Sequence, residues 1–373
     1  MNTAPKYTAP KHSTLSVRDL ADGAAHTDLI AADASIVDPL LVVDLDGTEN
    51  WDGGRTTEAD LYRAGERARE CDRLLIGMTR GALSDALRPL AESLDLTLTG
   101  AAHDDDPPYC AVAVDDPAAE AAALRTKIEA APQPALLLAR ILRVGESLTV
   151  RQALDLESLA YSTLLAGPAF ADWLAKRGER PVPLEQTEEA VIIRRDGGTL
   201  RLTLNRPQRH NAHDRSLRDA LVAGLRVAEL DDTVAEVVLD GRGPSFCSGG
   251  DLDEFGTAPD PATAHPLRTR AGAARHLHDL HRRLTARIHG HCVGAGIELP
   301  AFAGRVVADP STVVRLPELE LGLIPGAGGT VSIPRRIGRW RTLYLVLTGV
   351  SVPASVAYRW GLVDRIEPVA PAD

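Results

Sequence analysis

"ARIHGHCVGAGIELPAFAGRVVA" (286–308) reads as a strand, a glycine turn at Gly294-Ala295-Gly296, and a helix that leads into a further apolar run. The helix N-terminus points partial positive charge at whatever lies in front of it, and Glu298 stands just behind the turn in an apolar setting. Twenty positions on, "RLPELELGLIPGAGG" (315–329) sets Glu318 directly behind Pro317, in an apolar run that again closes on glycines. Two carboxylates placed this way suggest a site rather than a surface.

The same rhythm extends outward. "AVIIRRDGGTLRLTLNRP" (190–207) is a β-hairpin around Asp196-Gly197-Gly198, "SLRDALVAGLRVAELD" an amphipathic helix and "VAEVVLDGRG" a strand running into a turn. Repeated strand, turn and helix argue for α/β layering. "GRGPSFCSGGDLDEF" (241–255) ends a strand in a turn where Gly249 and Gly250 allow close backbone approach, with a helix expected to start after Asp251. Alone it is an ordinary tight turn with Asp251 as N-cap. Beside Gly294-Ala295-Gly296 it supplies the second half of a two-amide oxyanion hole.

Upstream, residues 1–35 lack sustained periodicity and read as a loosely packed arm, with order beginning near Ile36. "LLVVDL", "EADLYRAGERARECD" and "RLLIGM" form an α/β unit, and "HDDDPP" (103–108) is a solvated loop. From Pro117 to Arg177 the pattern is helical throughout, with Ser147 as N-cap of the long helix and Gly167-Pro168 as its stop. "GERPVPLEQ" (178–186) is a linker.

With 373 residues, 44% of them hydrophobic, the chain can fill two domains. No apolar run approaches the ~20 residues of a membrane span, and the N-terminus lacks an apolar signal core. Cys71, Cys110, Cys247 and Cys292 show no CxxC spacing, which fits reduced thiols and a cytoplasmic setting. A net charge of −11 without a basic stripe argues against nucleic acid. Lysine occurs only at Lys6, Lys11, Lys127 and Lys176, so the C-terminal half has no Schiff-base candidate.

In "HGHC", strand alternation sends His289 and His291 to one face and Cys292 to the other with no fourth ligand in view, so no metal site is expected. His276, His278 and His281 read as a solvated face. "VVDLDGT" (42–48) is similar to the nucleophile motif of haloacid dehalogenase-like phosphatases, with Asp44 as nucleophile, Asp46 as acid and Thr79 in the second motif. That motif's later lysine and acidic pair do not follow in order.

One resemblance covers far more of the chain. "LNRPQRHNA" (204–212), "FCSGGDLDEF" (246–255), "GHCVGAGIEL" (290–299), "RLPELELGLIPGAGGT" (315–330) and "WGLVDRI" (360–366) resemble, in that order, the signatures of the crotonase, or enoyl-CoA hydratase/isomerase, superfamily. The resemblance implies a ClpP/crotonase-like α/β fold, a repeated ββα superhelix, over residues 188–373. It further implies an acyl-CoA thioester as substrate, with no cofactor beyond the coenzyme A it carries. Its carbonyl oxygen would lie between the backbone amides of Ser248 and Ala295. Glu298 would activate water for addition at Cβ, and Glu318 would move the proton at Cα. The nucleotide and pantetheine arm would fall to Arg206, Arg209 and His210 of the "NRPQRHNA" loop, to Gly249, Gly250, Asp251 and Leu252, and to Gly294.

The reaction implied is hydration of a 2-enoyl-CoA or its reverse. Isomerisation, decarboxylation, thioester hydrolysis and a non-catalytic acyl-CoA-binding subunit stand as alternatives. A homo-oligomer, trimer or hexamer, is the family's usual state.

The chain departs from the family in its order. Ordinary members continue past "GLVD" with helices that close the acyl pocket, whereas here such a segment, residues 116–180, lies upstream and resembles that C-terminal piece down to "FADWLAKR". Residues 36–115 then resemble a reduced crotonase copy. The chain reads as a degenerate tandem in preference to a circular permutation, and residues 116–177 are expected to pack over the 188–368 core.

Overall fold

A computed structural model of the protein describes residues 14–46, 56–100, 108–179 and 189–369. The expected "HDDDPP" loop, the linker and the Gly47-Thr48 end of the phosphatase-like motif fall largely or wholly outside these. The chain divides into two compact units, one within Met1–Arg140 with Gly338–Leu347, the other within Ile141–Ile337 with Thr348–Asp373.

The first unit is built on a parallel sheet of β1 (Thr14–Ser16), β2 (Leu40–Asp44), β3 (Leu74–Thr79), β4 (Leu96–Thr99) and β5 (Ala111–Ala113), adjacent in chain order. Leu74, Leu75 and Ile76 are fully buried, as expected of a strand covered on both faces. The helix Glu58–Glu70 starts at Thr57, whose side chain and that of Asp60 cap each other's amides. Trp340 joins this unit's core and its indole N–H donates to the Leu94 carbonyl at 3.0 Å.

Two expectations change here. The arm is packed from residue 14 on: β1 pairs with β2, and Leu20 and Ala25 are fully buried. The segments concerned are too short to show a period. The expected single helical module is also divided, because Pro117–Ala130 lies in the first unit, where Arg125 donates to the Leu40 carbonyl at 3.1 Å.

The second unit holds a six-stranded sheet in the order β14 (Arg365–Ile366), β11 (Arg305–Ala308), β9 (Leu284–Ile288), β8 (Glu236–Gly241), β7 (Thr199–Leu204), β6 (Val191–Asp196). Strands β6 and β7 form the expected hairpin, with Asp196 opposite Thr199, and the others run parallel. A smaller sheet joins β10 (His291–Val293) to β12 (Val313–Arg315) and β13 (Val352–Pro353). In this smaller sheet β10 and β12 are parallel, with Val293 opposite Arg315, so the chain leaves both strands at the same edge. Gly294 follows one and Leu316 the other. One superhelical turn separates the two exits, and this is why Glu298 and Glu318, twenty residues apart, arrive together.

The helices Val150–Leu165 and Pro168–Arg177 belong to this unit. The first is capped by Thr149 in a box with Gln152, not by Ser147, whose hydroxyl donates to the Val144 carbonyl. No helix begins at Asp251: residues 252–256 stay in turns, because Asp251 Oδ1 accepts from Asp253 N and from Arg209. His276, His278 and His281 are half-buried rather than a solvated face, His276 against Glu229 and the other two stacked on each other. His289 is buried and bonded to the Gly243 carbonyl. Among the described residues no group of three or more His, Cys, Asp or Glu could hold a metal, and no helix is long and apolar enough to cross a membrane.

Candidate active site

A cavity of about 940 Å³ opens in the second unit. Glu298, Glu318, Ser248, Gly249, Gly250, Asp251, Leu252, Gly294 and Ala295 all line it. The helices Val150–Leu165 and Pro168–Arg177 close it with Leu154, Tyr161 and Phe170.

Glu298 ends the short helix Ala295–Glu298, whose N-cap Gly294 has φ 50° and ψ −120°, a conformation that excludes side chains. A Cβ there would also come within 2.8 Å of Glu318 Oε1 and 3.8 Å of Glu298 Oε1. The two carboxylates therefore flank one bare backbone position. The Ala295 N–H, first in its helix, has no acceptor among the described residues.

Oxygen by oxygen, the acids differ. Glu298 Oε2 accepts from Ala327 N at 2.8 Å and Gly329 N at 2.9 Å. Its Oε1 has no partner among the described residues. Glu318 is 8% exposed, and its Oε2 is buried with no hydrogen bond. Neither has a cation at ion-pair distance among the described residues.

A third carboxylate was not anticipated. Glu157, 2% exposed, accepts from Gly328 N at 2.8 Å through Oε1 and from Thr330 N and Oγ1 at 2.9 and 2.7 Å through Oε2. Four consecutive amides of the "AGGT" turn thus alternate between Glu298 and Glu157. The sequence signal available was a glutamate inside the apolar face of an otherwise well-patterned helix.

Burial pushes the Glu298 carboxyl up to about 7, against the two amides that draw it down. Burial and then the Glu298 charge push Glu157 up to about 8, and the same two causes drive Glu318 well above the carboxylate range. The three titrate as a set, so protons belong to the group. His213, also in the wall, is held neutral down to about pH 4 by burial.

Other assigned residues have partners of their own. The Ser248 amide, expected free, donates to the His210 carbonyl at 2.9 Å, with His210 and Asn211 both at positive φ. His210 does not line the cavity, and its Nδ1 meets Ser245 Oγ at 3.0 Å. Nor are Arg206 and Arg209 in the wall. Arg206 is buried in an ion pair with Asp214, and Arg209 bridges Asp251 at 2.9 Å and Asp253 at 2.8 Å.

Comparison with known proteins gives a match to the family described as enoyl-CoA hydratase/isomerase over residues 194–372. The 2,3-dehydroadipyl-CoA hydratase of Escherichia coli (strain K12) is 35% identical over 178 residues, 48% of this chain and 69% of that protein. The 1,2-epoxyphenylacetyl-CoA isomerase of the same organism is 34% identical over 188 residues, 48% of this chain and 70% of its own. Among solved structures, an enoyl-CoA hydratase of Mycobacterium smegmatis matches with a TM-score of 0.45 at 31% identity, covering 48% of this chain and 71% of that one.

Proposed function

Because the chain belongs to the enoyl-CoA hydratase/isomerase, or crotonase, family, we propose that it is a hydro-lyase adding water to a 2-enoyl-CoA or removing it from a 3-hydroxyacyl-CoA. The observation that carries this reading is the pair of buried, cation-free carboxylates flanking Gly294, beside the unpaired Ala295 amide.

The thioester oxygen sits against Ala295 N–H and against Ser248 N–H, where it takes the place of the His210 carbonyl. Each such amide lowers the barrier by about 3 kcal/mol as charge moves onto the oxygen. Glu298, fixed through Oε2, keeps Oε1 for the water and accepts its proton as the hydroxyl adds to Cβ. Glu318, whose burial favours its protonated form, delivers a proton to Cα. Water is consumed, the two acids exchange protonation, and solvent resets them. Only the coenzyme A of the substrate enters the scheme.

The same amides and acids can shift a double bond instead, and one relative's name is that of an isomerase. A purely binding role is disfavoured by the intact carboxylate pair. The test is loss of enoyl absorbance with crotonyl-CoA, comparing wild type with Glu298→Gln and Glu318→Gln. Hydration abolished in both is expected; hydration equal to wild type in both sinks the mechanism.

A further inference from the structure

We propose that Arg268 forms a carboxylate-binding subsite in the acyl region of the cavity, so that the preferred substrate is an acyl-CoA whose chain carries a second carboxylate. The inference deepens the function above and rests on its placement of the thioester.

Arg268 belongs to the helix Pro261–Ala271 and lines the cavity. Of the other arginines of the wall, Arg275 is answered by Asp155 at 2.6 Å, Arg315 by Glu320 and Arg218 by Asp219, both at 2.7 Å, and Arg215 is exposed. Arg268 is held by neutral groups alone. Its Nε donates to Ser158 Oγ at 3.2 Å, and its Nη2 to the Ser158 carbonyl at 3.0 Å and to Ser162 Oγ. Its guanidinium carbon lies 4.6 Å from the Tyr161 ring centroid.

These contacts fix the plane of the guanidinium and leave Nη1 without an acceptor among the described residues. A half-buried cation with no acid at ion-pair distance is costly to keep. A rigid fork with one side uncommitted is also the arrangement that recognises a carboxylate.

Its distance from the reacting centre suits a short acyl chain. Tyr161, on which Arg268 stacks, packs so closely on Gly326 that a Cβ there would meet the ring at 2.4 Å. The next residue, Ala327, holds Glu298 through its amide. One aromatic ring therefore separates the Arg268 fork from the turn that fixes Glu298. Glu157, one turn before Tyr161 on the same helix, spends both oxygens on Gly328 and Thr330.

The test is calorimetric binding of adipyl-CoA against hexanoyl-CoA, two saturated thioesters that differ at the chain end, to wild type, Arg268→Met and Arg268→Lys. Wild type is expected to bind adipyl-CoA at least tenfold more tightly. Arg268→Met should reverse the order, and Arg268→Lys, which keeps the charge without the fork, should retain part of it. Equal binding by wild type, or a preference that survives Arg268→Met, overturns the subsite. If Arg268→Met binds neither thioester, Arg268→Lys decides: a wild-type preference in it counts against the fork, a reduced one for it. Since both ligands are saturated, the result stands apart from hydration. A preference without crotonyl-CoA turnover would sink the proposed reaction and keep the subsite.

Discussion

Asp44 ends strand β2 and Asp46 follows it in the first unit; Glu298 and Glu318 follow β10 and β12 in the second. Both pairs stand where parallel strands end, the edge at which α/β folds place chemistry. Their acids are treated in opposite ways. Asp46 accepts from Thr79 Oγ1 at 2.6 Å and Arg80 N at 3.0 Å with the Arg80 guanidinium 3.8 Å away, and Asp44 accepts the Asp46 amide at 2.9 Å. Glu318 is buried with Oε2 empty, and the cost of that burial raises its proton affinity. Glu298 likewise keeps Oε1 without a partner among the described residues, and acids that each hold one oxygen open are poised to exchange protons with a substrate.

The largest expected effect is removal of a poised acid. Glu318→Gln and Glu298→Gln should each lower kcat for crotonyl-CoA hydration by roughly a hundred- to ten-thousandfold with a much smaller change in KM, as loss of a general acid or base does. A KM-dominated loss would assign the acids to binding.

Next comes the bare position between them. Gly294→Ala adds a Cβ 2.8 Å from Glu318 Oε1 at a backbone φ of 50° and ψ of −120°. It is expected to cut kcat at least tenfold by displacing Glu318, strain at such φ/ψ costing about 1–3 kcal/mol. Wild-type kcat in this variant would show that the acids tolerate being spread.

Glu157→Gln sharpens the comparison, since it removes a buried charge while keeping an acceptor for the turn. Glu298, at about 7, titrates before Glu157, at about 8, so Glu157→Gln should remove the upper step of the kcat/KM profile and leave the lower one in place. Stability provides a second readout. Glu157 rises from 4.5 to about 8 on folding, so its contribution is fully present below pH 4.5 and is lost as pH climbs through 8. The melting temperature of wild type should fall across that window, and Glu157→Gln should flatten the fall. An unchanged pH profile would confine Glu157 to tying the turn.

What could be read from the sequence follows from how local each cause is. Glu298 and Glu318 were legible because each sits in an apolar run beside a glycine turn, and adjacent parallel strands bring the two exits together. Glu157 was not, because its partner Gly328 lies 171 positions away. The occupied Ser248 amide depends on how the His210 carbonyl points, which no residue type specifies. Arg206 reads as a phosphate contact from its motif alone, and its ion pair with Asp214, eight positions on, is not specified by that motif. Thr149 against Ser147 was decidable: only Thr149 has a glutamine three residues later to complete a capping box.

The smallest expected effect lies in the other pair. Asp46 is an acceptor for a hydroxyl and a backbone amide at a part-exposed position, so Asp46→Asn keeps an oxygen for one donor and loses only a screened charge. Hydration should stay at the wild-type rate, with at most about 1 kcal/mol of stability lost by denaturant titration. The phosphatase-like "VVDLDGT" reading predicts something different: hydrolysis of p-nitrophenyl phosphate with magnesium present, abolished by Asp44→Asn. Such activity would break the comparison at its base, because acids with satisfied neighbours would then be reactive, and a buried acid with one oxygen left open would no longer mark out the catalytic pair.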